Sequence, residues 1–219
     1  MPTIVSGTVP ASDLALSHSL GTLADLYFEV ERIVTSGDET VMPMLWARGT
    51  SRADVEAALR DDPTVDEVEL LGDFDDEWLF QMQWVSQVDL ILEMLTNAEA
   101  SVLDAVGHGD QWRLRVLYPR RSLFSTTHEF CEDHGITFDV RSIRELDEEP
   151  AGRYGLTAAQ YEMLSAAATR GYFQVPRGVS LEELADELDI SHQAASERLR
   201  RAMDALVEDA LFVGMDELA

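Results

Sequence analysis

The 219-residue chain contains no lysine. Its 16 basic residues are all arginine, set against 42 Asp and Glu, for a formal net charge of −26. A surface of that sign makes nucleic acid the last partner to suggest. Cysteine is nearly absent. Cys131 stands alone, which excludes an intramolecular disulfide and fits a reducing compartment. No apolar run reaches the ~18 residues of a membrane-spanning helix, so no membrane partner is expected. Met1-Pro-Thr-Ile-Val-Ser6 lacks the basic start and apolar stretch of a signal peptide, and the expected location is the cytoplasm. Also missing are a phosphate-binding glycine loop, an H-E-x-x-H helix and a nucleophile elbow. No enzyme and no cofactor are therefore expected.

The acids that are present lie among apolar residues rather than in one block, which argues against an acidic disordered tail. A lysine-free, acid-rich surface suits a cytoplasm with molar salt. Carboxylates hold hydration there, and at ~1 M salt the Debye length of about 3 Å screens their mutual repulsion. The charge is uneven along the chain. Residues 1–150 carry 30 acids and 10 arginines, and residues 151–219 carry 12 and 6. The window Ser191–Met203 has one acid, Glu197, against Arg198, Arg200 and Arg201.

The pattern predicts two domains, 1–148 and 149–219, parted in Glu145-Leu-Asp-Glu-Glu-Pro-Ala-Gly152. In the first, period-2 alternation marks strands at Leu26–Val30, Trp78–Trp84, Trp112–Tyr118 and Ile136–Val140. Helices are expected from Ser51 to before Pro63 and from near Ser122 to Gly135. A helical link is expected around Val85–Leu95, and hairpin turns at Gly72-Asp73 and Gly109-Asp110. Asp75-Asp76 is read as a turn as well. The fold class is α+β: a mostly antiparallel sheet with helices, in an order that suggests two ferredoxin-like halves, followed by an all-α domain. No sequence repeat relates the halves.

Beyond the boundary the period becomes helical. Thr157 with Gln160, and Ser180 with Glu183, form capping boxes for two helices, and Ser191 can cap a third running toward Leu211. The last two helices, hinged at Asp189-Ile190-Ser191, have the pattern of a DNA-binding helix-turn-helix. Leu181, Leu184, Ala185 and Leu188 face inward, as do Ala195, Leu199, Met203 and Leu206 on the third helix. The opposite face presents Gln193, Glu197 and Arg200, flanked by His192 and Ser196. These types suit base edges: Gln for adenine, Arg for guanine, Glu for cytosine. Arg177, Ser191, Arg198 and Arg201 are the phosphate candidates.

Gly155-Leu-Thr-Ala-Ala-Gln-Tyr-Glu-Met-Leu164, Gly171-Tyr-Phe-Gln-Val-Pro-Arg-Gly178, Ser180-Leu-Glu-Glu-Leu-Ala-Asp-Glu-Leu-Asp-Ile-Ser191 and Ser196-Glu-Arg-Leu-Arg-Arg-Ala202 carry a resemblance. Together they resemble the C-terminal domain of bacterio-opsin-activator-type regulators of halophilic archaea, similar in plan to the DNA-binding region of sigma factors. Residues 1–150 resemble, less sharply, the domain that precedes this reader in the family. The resemblance implies sequence-specific transcription regulation in the cytoplasm, with double-stranded DNA as partner. His192-Gln-Ala-Ala195 departs from the Ser-Thr-Val-like run that opens the family's recognition helix, so base preference does not carry over.

Four further expectations stand beside this one. His128, Cys131 and His134 are candidate metal or redox-sensing ligands, one short of a structural zinc set. Trp46, Trp78, Trp84 and Trp112 are candidates for either a core or a small-molecule pocket. Arg113 and Arg115 share a strand face and either bind an anion or pair with nearby acids. The apolar tail Ala202–Val213 is a candidate contact for a homodimer, the state favoured because two half-sites multiply specificity. A transcription-machinery protein is a second expected contact. The alternative to a DNA reader is a protein-binding adaptor that keeps the fold without DNA recognition.

Overall fold

The computed structural model describes residues 1–36, 40–85, 89–146 and 155–210. Contacts divide the chain into two units, Met1–Glu145 and Leu146–Ala219. The expected junction at 148/149 lies outside the described residues.

The first unit is an eight-stranded sheet in which every neighbouring pair is antiparallel. Its strands are β1 (Thr3–Pro10), β2 (Tyr27–Ser36), β3 (Thr40–Arg48), β4 (Val65–Phe74), β5 (Glu77–Trp84), β6 (Ser101–His108), β7 (Gln111–Tyr118) and β8 (Asp139–Glu145). The helices are α1 (Ser17–Thr22), α2 (Arg52–Asp61), α3 (Asp89–Leu92, widening into a π turn at Glu93–Asn97) and α4 (Arg121–His134). In chain order these make β-α-β-β-α-β twice, the ferredoxin-like plan. That plan seats the first strand of each unit between its third and fourth. Here the first strands are exchanged. The order β4-β5-β3-β2-β6-β7-β1-β8 puts β5 between β3 and β4, and β1 between β7 and β8. The two four-stranded groups so formed meet along β2 and β6, where Phe28 stands opposite Gly107.

One face of the sheet holds the core. Phe28, Leu45, Phe80, Leu114 and Val116 are buried there with Trp78, Trp84 and Trp112, under Val55 and Leu59 of α2 and Phe124 and Cys131 of α4. The Trp84 and Trp112 rings meet edge to face at 5.7 Å, and Trp112 Nε1 donates to the Ala15 carbonyl at 2.7 Å. The indole N–H thereby enters an apolar core without losing a partner.

Several expected elements are confirmed. Ser51 caps α2, its hydroxyl accepting from the Asp54 N–H at 3.3 Å, and Gly135, at φ 67°, closes α4. Gly109-Asp110 is a hairpin turn between β6 and β7. Others are corrected. Gly72 lies inside β4 beside a register shift, and the turn to β5 is Asp75-Asp76, with Asp75 at φ 55°. β8 begins at Asp139 rather than Ile136. Strands β1 and β3 and helix α1 were not anticipated.

The second unit holds α5 (Ala158–Thr169), α6 (Leu181–Glu187) and α7 (His192–Ala210). Both expected capping boxes are complete, with Thr157 and Ser180 each bonded reciprocally to the residue three positions on. Met163 and Ala167 of α5, Val179, Leu184 and Ala185 of α6, and Ala195 and Leu199 of α7 share a small core. Between α5 and α6 the connector closes on itself, the Gly178 N–H donating to the Gly171 carbonyl at 2.9 Å. A Cβ on Gly178 would lie 2.8 Å from the Arg170 carbonyl oxygen, so this closure requires glycine.

Candidate nucleic-acid interface

Four residues, Leu188 to Ser191, separate α6 from α7. Leu188 ends α6, Asp189 turns left-handed at φ 51°, and the Ile190 N–H returns to the Ala185 carbonyl at 3.0 Å. Asp is one of the few residues that tolerates that conformation. Ile190 packs against the core from the middle of the hinge. Ser191 then starts α7. Its hydroxyl accepts the Ala194 N–H at 3.1 Å while its carbonyl accepts from Ala195 at 2.9 Å.

The inward stripe of α7 is Ala195, Leu199 and Ala202. Met203, expected inside, is 43 % exposed. The four-residue step from Leu199 would have served, but the three-residue step to Ala202 is the one taken, and Leu156 packs over that small side chain. Met203 instead lines an apolar cavity of about 450 Å³ with Leu156, Tyr161, Leu164, Phe173 and Val207.

At ~100° per residue, Gln193, Glu197 and Arg200 fall on the face of α7 opposite that stripe. His192, Gln193, Ser196 and Arg200 are exposed; Glu197 and Arg198 are half-buried, and Arg201 is exposed. The stripe is internally bonded. Gln193 Nε2 donates to Glu197 Oε1 at 3.2 Å, and Arg201 reaches Glu197 Oε2 at 3.7 Å. Ser196 and Arg200 border a second cavity, shared with Tyr172, Arg177 and Leu181. Arg177 lies 4.6 Å over the Tyr172 ring, a cation–π contact that the sequence did not suggest. Its only signal was the aromatic content of the connector, since the two residues are five apart and share no helical period. Arg170, also not singled out, pairs with Glu187 at 3.5 Å and ties the end of α5 to α6.

The candidate residues in the first unit do not form one site. Cys131 is buried and its thiol is pushed up to about 11, first by burial and then by Glu93. His128 stacks on Phe124 and is exposed; His134 stacks on Phe130 and donates Nδ1–H to its carbonyl at 2.9 Å. The three side chains are not brought together, and no group of three metal-binding side chains occurs among the described residues. The four tryptophans also divide. Trp78, Trp84 and Trp112 are core, while Trp46 lies on the other face of the sheet, its Nε1–H bonded to Glu31 at 3.0 Å. Arg115 pairs with Asp104, as the acid-pairing reading of that strand anticipated. Leu211, Phe212 and Val213 of the proposed dimer tail lie outside the described residues. Among the described residues no helix is long and apolar enough to cross a membrane.

Comparison with known proteins bears on both units. The family model described as "BAT: GAF and HTH_10 associated domain" matches residues 8–157. The model described as "HTH DNA binding domain" matches residues 156–208. A Haloferax volcanii protein provisionally named a transcriptional regulator is 28 % identical over 194 residues, 80 % of this chain. The chain spans about a third (31 %) of that relative's length. Neither family description names a catalytic activity.

Proposed function

Since the chain belongs to the family defined by the BAT domain, with an HTH DNA-binding domain behind it, we propose that it is a cytoplasmic transcription regulator that recognises promoter sequence through α7. Gln193, Glu197 and Arg200 contact base edges in the major groove, with His192 and Ser196 beside them. Arg177, Arg198 and Arg201 contact phosphate, joined by Ser191, whose hydroxyl accepts the cap bond and has its own proton to donate. The first unit supplies the contacts of a homodimer or meets a transcription-machinery protein.

One observation carries this reading. A capped, tightly hinged pair, α6 and α7, turns a face containing Gln193 and Arg200 away from its core, in a window, Ser191–Met203, where three arginines stand against one acid.

The test is binding of the full chain to genomic fragments in multimolar KCl, the medium that an acid-rich, lysine-free surface suits. Selected fragments are expected to outcompete random DNA, and Gln193→Ala and Arg200→Ala to abolish that preference. Fragments that bind no better than random DNA, with neither substitution mattering, leave the adaptor reading in its place.

A further inference from the structure

The face of the sheet opposite the core is not featureless. Cross-strand pairing sets Gln111, His108, Tyr27, Arg48 and Glu77 in one row across five strands. The next row holds Val106, Glu29, Trp46 and Leu79. Between the rows, Tyr27, Glu29, Trp46, Arg48 and Glu77 line a cavity of about 190 Å³.

Its walls are held in place. The Tyr27 ring stacks on His108 at 3.9 Å and takes the Arg48 guanidinium at 5.3 Å. His108 in turn donates Nδ1–H to the Leu26 carbonyl at 3.0 Å. Trp46 is fixed by its bond to Glu31 and by Phe74, whose ring centre lies 5.5 Å away. Inside stand two carboxylates and one guanidinium. Arg48 is bonded to Glu77 at 3.5 Å, a long contact between partly exposed groups. Glu29 is held above the usual carboxylate range, chiefly by burial. Arg48 pulls it down, while Glu77, Asp104 and Glu31 push it up. The cavity therefore has a surplus of negative charge, two carboxylates to one guanidinium, beside a half-buried aromatic wall.

We propose that this cavity is a binding site for a small organic cation, an amine or guanidinium carrying a short apolar or planar body. The cationic head donates to Glu29 and Glu77, and the body lies against the Trp46 indole. The volume sets the size, since drug-sized ligands occupy cavities of ~300 Å³ or more. It also sets the class. Two carboxylates against an indole are a poor shell for a bare metal cation, which takes a larger set of oxygen ligands. An anion would meet Arg48 but also two carboxylates. The indole surface adds an attraction that potassium in a salty cytoplasm does not match.

The test uses the full chain in molar KCl, with agmatine and benzylamine as probes and acetate and phosphate as anionic controls. Calorimetric titration is expected to show saturable one-to-one binding of at least one cationic probe and none of either anion. Glu29→Gln weakens it about tenfold or more, through the lost charge-assisted bond. Trp46→Leu weakens it about threefold or more, through the lost aromatic contact. Thermal melts check each variant, and Glu77→Gln, at the exposed rim, replaces any that fails to fold. No saturable binding of either amine, tighter binding of an anion, or affinity that survives either substitution overturns the proposal. DNA binding plays no part in the readout, so the site and the regulator reading fail separately.

Discussion

Glu197 Oε1 accepts the side-chain amide of Gln193 at 3.2 Å, one turn apart on the exposed face of α7. The same carboxylate takes Arg201 from the next turn at 3.7 Å. An anion thus sits in the middle of the face proposed to meet DNA, and it takes one N–H of the amide that would pair with adenine. Gln193 keeps its second amide N–H and its carbonyl oxygen for that pair, while the bond to Glu197 fixes the direction in which they point. Gln193→Ala is expected to lose about 1–3 kcal/mol of discrimination at one base pair. Glu197→Gln keeps a partner for Gln193 but removes a charge that repels phosphate. Its expected signature is tighter binding to random DNA and a lower ratio of specific to random affinity, measured by competition against one labelled fragment. Unchanged affinity for random DNA in Glu197→Gln removes Glu197 from the interface.

In the first unit the strongest single prediction concerns Asp62. Its buried carboxylate accepts the Ser19 N–H at 2.9 Å and the Ser19 hydroxyl at 2.8 Å. It also accepts the Thr64 N–H at 3.0 Å and the Thr64 hydroxyl at 2.6 Å. One side chain thereby ties α1 to the end of α2 and the start of β4. Asp62→Ala strands three donors, since the Ser19 hydroxyl also reaches the Ala58 carbonyl at 3.2 Å, and bonds to a charged acceptor are each worth about 1.5–3 kcal/mol. A loss of about 3 kcal/mol or more is expected in a denaturation midpoint measured at high salt, with Asp62→Asn intermediate because it keeps one acceptor oxygen. A loss below about 1 kcal/mol for Asp62→Ala contradicts the hub.

Asp62 was invisible in the sequence because a buried acid looks the same as forty-one others. The missed strands have their own physical reasons. β1 is buried on both faces, from Thr3 through Val9, so alternation between apolar and polar residues is lost. β3 carries Pro43 in its interior, which argues against a strand on local grounds. Trp78 to Trp84 and Trp112 to Tyr118 were legible because each buries every second residue. The exchange of first strands left no local mark, since β1 and β5 occupy equivalent slots and either pairing satisfies the pattern. In the second unit the caps, hinge and inward stripe were local and largely readable. The switch from Met203 to Ala202 depended on Leu156, from before α5.

The capping box on α6 gives a pH prediction. The Ser180 N–H and the Ser180 hydroxyl both donate to Glu183 Oε2, each at 2.8 Å. The backbone bond first, then the side-chain bond, hold Glu183 below the usual carboxylate range. A carboxyl lowered by folding stabilises the native state above its unfolded value and loses that contribution as pH falls through its folded value. Acid should therefore loosen α6, and Glu183→Gln should flatten the response below the ordinary carboxylate range while leaving neutral pH little changed. Ser180→Ala removes the cap at every pH and is expected to cost about 1 kcal/mol. Amide exchange in α6, followed against pH for the three proteins, separates the two effects. A Glu183→Gln protein that retains the full acid response refutes the assignment.

Salt dependence distinguishes the proposed reader from ordinary DNA-binding proteins. Most gain affinity by releasing counterions from phosphate, and lose it steeply as salt rises. Here the phosphate candidates are Arg177, Arg198, Arg201 and Ser191, in a chain of net charge −26. At ~1 M salt a Debye length of about 3 Å leaves little long-range attraction for those arginines to exploit and little long-range repulsion from the acids. Specific affinity must then rest on contacts that salt does not screen: bonds from Gln193 and Arg200 to base edges, and packing of apolar atoms. Between about 1 and 3 M KCl the affinity for a selected fragment is expected to be flat or to rise. It should fall steeply only where the fold itself is lost at low salt, which circular dichroism on the same samples separates from binding. A steep decline of specific binding across that range, in protein that stays folded, would return the phosphate contacts to first place.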